Sequence, residues 1–137
     1  MRVVIDTKVM VSGILNPHGP PGRVIDAILS ETIPVLHDDR ILSEYREVLL
    51  RPTFGFARSD VELLLEFVES AGEHISASPL SLVLPDPTDL PFLGVAMSGR
   101  ADALITGNRK HFRPKGGKQN VPVIAPADFL RRYQRFS

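Results

Sequence analysis

The sequence predicts one α/β domain, in which helices pack against a mostly parallel sheet. Short apolar runs that suit strands alternate with longer segments whose apolar residues recur at helical spacing. The 137 residues, 43% of them hydrophobic, are enough to bury a core. The absence of cysteine excludes disulfides, a cysteine-based zinc site and thiol catalysis. We therefore expect a single domain over residues 1–137.

The first predicted elements are a strand, a loop and a helix. Val3 to Ile5 form an apolar run that meets a carboxylate at Asp6, as expected of a buried strand ending at a polar edge. The segment 16–22, NPHGPPG, is a loop whose two prolines suit the first turn of a helix. The apolar face of that helix consists of Val24, Ile25, Ile28 and Leu29. A second short strand is expected over residues 33–36.

Two amphipathic helices are expected next. Asp38 or Asp39 is a suitable N-cap for the first helix, which Pro52 stops. Ser59, followed three residues later by Glu62, has the form of a capping box and predicts a second helix from residue 60 to about residue 70, which Gly72 ends. Their apolar faces are Ile41, Leu42, Tyr45, Val48 and Leu49 in the first helix and Val61, Leu64, Leu65 and Val68 in the second.

The C-terminal half predicts two more strands and two more helices. Residues 74–84 are weakly patterned and have room for one short strand. Asp89 can cap a helix running to about residue 97, because Pro91 falls in its first turn. The remaining predicted segments are strands over 103–105 and 121–124, a flexible insertion over 115–120, a helix from Pro126 or Ala127, and a loose basic tail over 131–137.

The formal net charge of zero hides a gradient along the chain. Residues 1–57 carry a net charge of −1, residues 58–89 carry −6 and residues 90–137 carry +7. A chain that is basic throughout is excluded, but the basic C-terminal third is a candidate surface for a polyanion. A solvated charged face with a loose basic tail explains the same charges equally well.

The chain has no apolar run of the roughly 18 residues needed to cross a bilayer. The apolar N-terminal run is also too short for a signal peptide, since Asp6 and Lys8 interrupt it. We expect a cytoplasmic protein that is not bound to membranes.

Several oxygen-bearing side chains occupy positions where an α/β fold places its ligands. Asp6 follows the first strand, and Asn108 follows the strand over 103–105 with Thr106 beside it. Asp89 lies at a predicted helix N-terminus, and Glu44 lies one turn into its helix. Such a set suits Mg²⁺ or Mn²⁺ and metal-assisted hydrolysis at a phosphate. Simpler roles stay open: a helix cap for Asp89, a turn residue for Asn108 and a solvated helix residue for Glu44.

Four separated segments resemble proteins of the PIN-domain family, in particular the branch that contains the toxins of toxin–antitoxin systems. The segments, which span most of the chain, are VVIDTKVMVSGILNPHGPPGRV, ILSEYREVLLRP, DPTDLPFLGVAMSGRADALITGNRKHF and VIAPADFL. The resemblance implies a three-layer α/β/α sandwich and a Mg²⁺- or Mn²⁺-dependent endoribonuclease. The family's acidic positions fall on Asp6, Glu44, Asp89 and Asn108, with Thr106 as a hydroxyl neighbour.

The resemblance also implies a mechanism and partners. Asp6 and Asp89 would hold the metal, while Glu44 and Asn108 would orient its waters. The RNA backbone would be held by Thr106, Arg109, Lys110 and Arg113. The implied partners are RNA, a cognate antitoxin protein and a second copy of the chain; the apolar face of the helix over 60–70 suits a homodimer, although burial within the monomer explains it as well.

Two residues depart from the family pattern and keep a second function open. Lys8 stands where the family's first motif, Asp-Thr-Asn, has its Asn, and Asn108 replaces an Asp. Lys8 could take the place of a second metal ion or hold a phosphate. The alternative is therefore a catalytically impaired RNA- or protein-binding module. Another hydrolase or a receiver-like domain lacks support, because no Asp-x-Asp follows the first strand and no glycine-rich phosphate loop is present.

Overall fold

Strands and helices alternate along the chain in the computed structural model, which describes residues 1–30, 33–115 and 118–136. The strands are β1 (Val3–Ile5), β2 (Leu36–His37), β3 (Glu73–His74), β4 (Ala103–Ile105) and β5 (Val123–Ile124). The helices are α1 (Thr7–Leu15), α2 (Pro20–Leu29), α3 (Asp39–Leu49), α4 (Arg58–Ala71), α5 (Leu90–Ser98) and α6 (Pro126–Phe136). Short 3₁₀ helices span Pro87–Asp89 and Arg109–Phe112.

All the strand pairs are parallel. Strands β1, β4 and β5 are hydrogen-bonded in that order, and β2 pairs with β3. A parallel bridge between Val3 and Val35 joins the two groups, so the strands follow the order β3-β2-β1-β4-β5. The chain turns from one side of β1 to the other between β3 and β4, which places the ligand-binding crevice of such folds at the carboxyl ends of β1 and β4.

The helices cover the sheet in two groups. Helix α5 packs against β1, β2 and β4, with α3 beside it and α4 against α3. Helix α6 packs against β4 and contacts α2, which in turn packs against α1. The α/β/α arrangement with a parallel sheet is therefore confirmed. None of the helices in the described ranges is long and apolar enough to cross a membrane.

Helix α1 is an element that the sequence pattern did not predict. Its residues include the β-branched Thr7, Val9, Val11 and Ile14 as well as Gly13, all of which have modest or low helix propensity. Packing against α2 decides the structure instead. A Cβ atom on Gly13 would lie 2.4 Å from Ile25 Cδ1 and 2.9 Å from the Pro21 carbonyl oxygen, so only glycine allows this close approach.

The start of α4 differs from the prediction. The helix begins at Arg58 with Ala57 as its N-cap and has no side-chain capping bond, so the capping box at Ser59 is wrong. Glu62 instead pairs with Arg46 of α3, at 3.0 Å between Arg46 Nε and Glu62 Oε1. The carboxylate thus joins two helices and does not cap its own. The predicted cap at Asp38 is confirmed, because its carboxylate accepts a hydrogen bond from the Ile41 amide at 3.0 Å.

The apolar face of α4 lies mostly within the chain. Val61, Leu65 and Val68 are buried and Leu64 is partly buried. This face is therefore used in the monomer core, which was the simpler of its two explanations. Leu63, 65% exposed, lines a neighbouring apolar hollow between α4 and the α1–α2 pair.

The C-terminal segments contain more regular secondary structure than the sequence predicted. Helix α6 continues through residues 131–136, for which a loose tail was predicted, and Ser137 lies outside the described residues. The predicted insertion over 115–120 falls partly outside the described residues, since Gly116 and Gly117 are not described. Lys115 forms an antiparallel bridge with Val83, donating its amide to the Val83 carbonyl at 2.8 Å.

Replacing Arg100 by Gly is expected to stabilise the protein by about 1 kcal/mol. Arg100 follows the end of α5 with a φ of 52°, a left-handed conformation that glycine adopts at lower cost. The amides of Arg100 and Ala101 donate to the carbonyls of Met97 and Ala96, so the helix end requires this conformation. Urea denaturation of Arg100→Gly should show a higher midpoint, whereas Arg23→Gly inside α2 should lower it. A lower midpoint for Arg100→Gly would show that the Arg100 side chain contributes more than its backbone conformation costs.

Candidate active site

Asp6 and Thr106 meet at the carboxyl ends of β1 and β4. Ile5 stands opposite Ile105 in the parallel register, so the residues that follow them are adjacent. Thr106 Oγ1 donates to Asp6 Oδ2 at 2.8 Å and accepts from the Asn108 amide at 3.1 Å. Asp6 is 7% exposed and Thr106 is fully buried. Thr106 therefore orients the Asp6 carboxylate and, being fully buried, has no exposed surface to offer a substrate in this structure.

Glu44 faces the same crevice because α3 is anchored to β1. The buried Tyr45 donates its hydroxyl hydrogen bond to the Ile5 carbonyl, next to Asp6. Thr7 Oγ1 donates to Glu44 Oε2 from the first turn of α1. Burial raises the pKa of Glu44, the Thr7 hydrogen bond partly opposes this shift, and the Asp6 charge adds to it. Glu44 is therefore not a freely solvated helix residue.

Asp89 occupies the N-cap position of α5, but its side chain makes no capping hydrogen bond. The simple capping role considered for it is thus not observed. Burial raises the pKa of Asp89 to about 6, and the charges of Asp6 and Asp86 contribute in the same direction. The His111 ring, with Nδ1 at 3.7 Å from Asp89 Oδ2, opposes this shift. Asp89 is therefore a crowded carboxylate whose neighbours include two other carboxylates and the His111 ring.

Asp6, Glu44 and Asp89 line one cleft of about 470 Å³. The elements that bring them together, β1, α3 and the start of α5, come from separate parts of the chain. Lys8, from the first turn of α1, lines the same cleft and makes no ion pair with any residue that the structure describes. Arg51 also lines the cleft but is paired with Glu47, so Lys8 is the lysine or arginine of the cleft that has no ion pair among the described residues.

The other predicted site residues lie outside this cleft. Asn108 is exposed and its side-chain nitrogen lies 3.0 Å from His111 Nε2, so the Asn108 side chain reaches the cleft through His111, while its backbone amide donates to Thr106. Arg109 and Arg113 line a different hollow, and Lys110 is exposed beside them. These basic residues follow the same strand as Thr106 but do not line the carboxylate cleft, and their role in holding RNA stays a prediction.

Two cleft residues were missed by the sequence reasoning. Asp86 lines the cleft, and hydrogen bonds from Thr88 to its carboxylate hold its pKa below the usual range, with smaller contributions from His111 and Lys8. His111 also lines it. The available signal was spacing: Asp86 precedes Asp89 by three residues, and His111 follows Asn108 by three. The neighbouring Phe112 is buried in the core.

The donor set suits a hard divalent cation. Oxygen ligands dominate the cleft, and the raised pKa values of Glu44 and Asp89 show carboxylates that would be relieved by a positive ion. Within the described ranges, no three carboxylate or imidazole groups form a compact ion-binding cluster. Mg²⁺ requires none, because it usually keeps several waters and takes one or two protein carboxylates. The residues therefore fit such an ion.

Asp89→Asn is expected to stabilise the metal-free protein at pH 8 and to have little effect at pH 4. The pKa of Asp89 is about 6 in the folded protein against an ordinary value of 3.8, so its favourable contribution exists at low pH and is lost as the pH rises through 6. The gain at pH 8 is at most about 3 kcal/mol. Denaturation in EDTA at both pH values measures it, with the exposed Asp26→Asn as control. Equal effects of Asp89→Asn at both pH values would contradict the assignment.

Comparisons with known proteins agree on the fold. A family model described as PIN domain matches residues 2–110. An uncharacterized protein of Methanocaldococcus jannaschii is 28% identical over 149 aligned residues, covering 99% of this chain and 94% of that protein. A crystal structure of VapBC2 from Rickettsia felis, bound to a DNA fragment from their promoter, superimposes with a TM-score of 0.58 at 16% identity and covers 91% of this chain and 98% of that chain.

Proposed function

The chain belongs to the PIN-domain family, and we propose that it is a Mg²⁺- or Mn²⁺-dependent endoribonuclease, the toxin of a toxin–antitoxin pair. The observation that carries this proposal is the convergence of Asp6, Glu44 and Asp89 on one cleft at the carboxyl ends of the strands. Three carboxylates that share so small a space repel one another unless a cation joins them. A divalent cation held by these carboxylates would serve the hydrolysis of a phosphodiester.

Each side chain would have a separate role, which follows from its surroundings. Asp6, fixed by Thr106, and Asp89, which has no capping partner, would hold the ion. The bound ion would supply Lewis-acid stabilisation of charge on the scissile phosphate. Glu44, held by the Thr7 hydroxyl, would orient the attacking water. Asn108 would act indirectly, by positioning the His111 ring that lies next to Asp89.

The partner in this proposal is an antitoxin protein. The resemblance to the toxin branch supports it, as does the fold shared with VapBC2, which was crystallised on a fragment of promoter DNA. Co-expression with the product of a small neighbouring gene tests this part. A stable complex that suppresses RNA cleavage supports an antitoxin, and unchanged cleavage in the presence of the complex partner contradicts it.

A second candidate function rests on Lys8. A cation that lines the same cleft as the carboxylates competes with a metal ion for their negative charge. A chain that retains the fold but cannot bind the ion would act as a non-catalytic module that binds RNA or protein. The two candidates differ in one property, the binding of a divalent cation.

Cleavage of a labelled single-stranded RNA tests the proposed activity. The purified protein should cleave the RNA with Mn²⁺ or Mg²⁺ and should stop when EDTA is added. Cleavage that persists in EDTA would indicate a contaminating or metal-independent nuclease. Intact RNA after incubation with Mn²⁺ at several millimolar would favour the non-catalytic module.

A further inference from the structure

A second groove lies next to the carboxylate cleft and is lined by cations. It consists of two adjoining hollows of about 440 and 330 Å³ that share Lys118, Gln119 and Asn120. Arg109 and Arg113 line the first hollow, and Arg100 lines the second. No carboxylate is among the described residues that line either hollow. We refer to the surface formed by Arg100, Arg109, Arg113 and Lys118 as the cationic groove.

The four cations of the cationic groove have no anionic partner among the residues that the structure describes. None of them forms an ion pair with a residue in the part of the chain that the structure describes. Several arginines elsewhere are paired: Arg2, Arg40, Arg46, Arg51 and Arg131. Like charges that line one concave surface without partners repel one another, and a bound polyanion removes that repulsion.

Arg100 supplies an independent observation. It is the one non-glycine residue with positive φ in the described ranges, at a helix end where glycine is the usual choice. An arginine kept in a strained backbone conformation is a reason to look for a function of its side chain. That side chain lines the cationic groove.

The cationic groove and the carboxylate cleft share a wall. In the 3₁₀ helix Arg109–Phe112, His111 lines the cleft while Arg109 and Phe112 line the groove. A flexible chain lying in the groove can therefore continue past this helix towards Asp89. A spaced row of negative charges on a flexible chain is the chemistry of a single-stranded nucleic acid.

We propose that the cationic groove binds the phosphate backbone of single-stranded RNA on one side of the cleavage point, and that Arg100 and Lys118 hold the part farthest from the carboxylates. The proposal rests on the proposed function. It adds a binding surface beyond the cleft, in which charge contacts fix the strand and carry no base specificity. Affinity should consequently depend on salt and on the number of phosphates that reach the groove.

The test measures binding without cleavage. Fluorescence anisotropy with a labelled 12-nucleotide RNA in EDTA gives the dissociation constant over a range of salt concentrations. Arg113→Gln and Lys118→Gln should each weaken binding about 3- to 10-fold and lower the slope of log affinity against log salt by about 0.7. Arg23→Gln, the same charge change on exposed α2, should leave both unchanged. Unchanged affinity and slope in Arg113→Gln and Lys118→Gln would overturn the proposal.

Arg100→Gly separates a loss of binding from a loss of folding. This variant should weaken RNA binding to a similar extent while its urea midpoint rises, a combination that misfolding cannot produce. If the stabilised variant keeps full RNA affinity, the Arg100 side chain does not contribute to RNA binding. Tighter binding of a poly-glutamate peptide than of RNA of equal charge would instead assign the surface to an acidic protein and overturn the RNA proposal.

The outcomes also distinguish this proposal from the proposed function. If the groove variants cleave RNA normally with Mn²⁺ and bind RNA with unchanged affinity, the proposed endoribonuclease activity stands and the groove proposal is rejected. If the same variants lose RNA affinity and the wild type cleaves RNA under no metal condition, the groove proposal stands and the proposed catalytic function is rejected.

Discussion

Replacing Asp6 by Asn is expected to lower the rate of RNA cleavage at saturating Mn²⁺ by about 100-fold or more. A metal ion supplies several kcal/mol of transition-state stabilisation, and each 1.36 kcal/mol corresponds to about a tenfold rate. Asp6 is buried and its carboxylate is held by the Thr106 hydroxyl directly after β1. Asn has the same shape and can still accept the Thr106 hydrogen bond, so folding should be unaffected.

Single-turnover cleavage rates and urea denaturation of the same preparations check this expectation. Thr106→Val serves as the graded control, because it removes the hydrogen bond that orients Asp6 while leaving the carboxylate in place. Its rate should fall by about 10-fold, as is usual when the support of a metal ligand is lost. A rate for Asp6→Asn within twofold of wild type would sink the catalytic assignment of Asp6.

Replacing Lys8 by Asn is expected to tighten Mn²⁺ binding about tenfold and to increase cleavage at limiting metal. Lys8 lines the cleft with the carboxylates, contributes to lowering the pKa of Asp86, and has no ion pair of its own in the described part of the chain. Its removal eliminates repulsion between two cations in a partly enclosed space, and a tenfold change corresponds to about 1.4 kcal/mol. Asn also adds a neutral oxygen ligand to the cleft.

Lys8→Arg is the matched control, because it keeps the charge and should leave the Mn²⁺ dissociation constant close to that of wild type. Similar tightening in Lys8→Asn and Lys8→Arg would show that the shape of the side chain matters and its charge does not. Cleavage by Lys8→Asn together with an inert wild type would identify the natural chain as a disabled member of its family.

The sequence predicted site residues best at positions where the residue type has few structural explanations. Asp6 closes a buried strand and was predicted at the site, where it lines the cleft. Asp89 was predicted there from its place at a helix N-terminus, although a capping role stayed open until the structure showed no capping hydrogen bond. Glu44 was found because its helix has a clear apolar stripe, which fixes the side on which position 44 lies. These predictions needed only local patterns and the rule that ligands bind at the carboxyl ends of parallel strands.

Other features depended on contacts between distant segments and could not be predicted locally. Helix α1 forms because Gly13 packs closely on α2, against the propensities of its own residues. Thr106 is a support for Asp6, which follows from the register that pairs Ile5 with Ile105. Arg109 and Arg113 follow the site in sequence, yet a single 3₁₀ helix directs them into a separate groove.

Binding of Mn²⁺ to the intact protein is the most direct test of the central claim, that the carboxylate cleft holds a divalent cation. Isothermal titration calorimetry at pH 7.5 should show saturable binding by the wild type and its loss in both Asp6→Asn and Asp89→Asn. Asp26→Asn, a change on the exposed surface of α2, should bind as the wild type does. No heat of binding by the wild type at millimolar Mn²⁺, or equal binding by all four proteins, would contradict the claim.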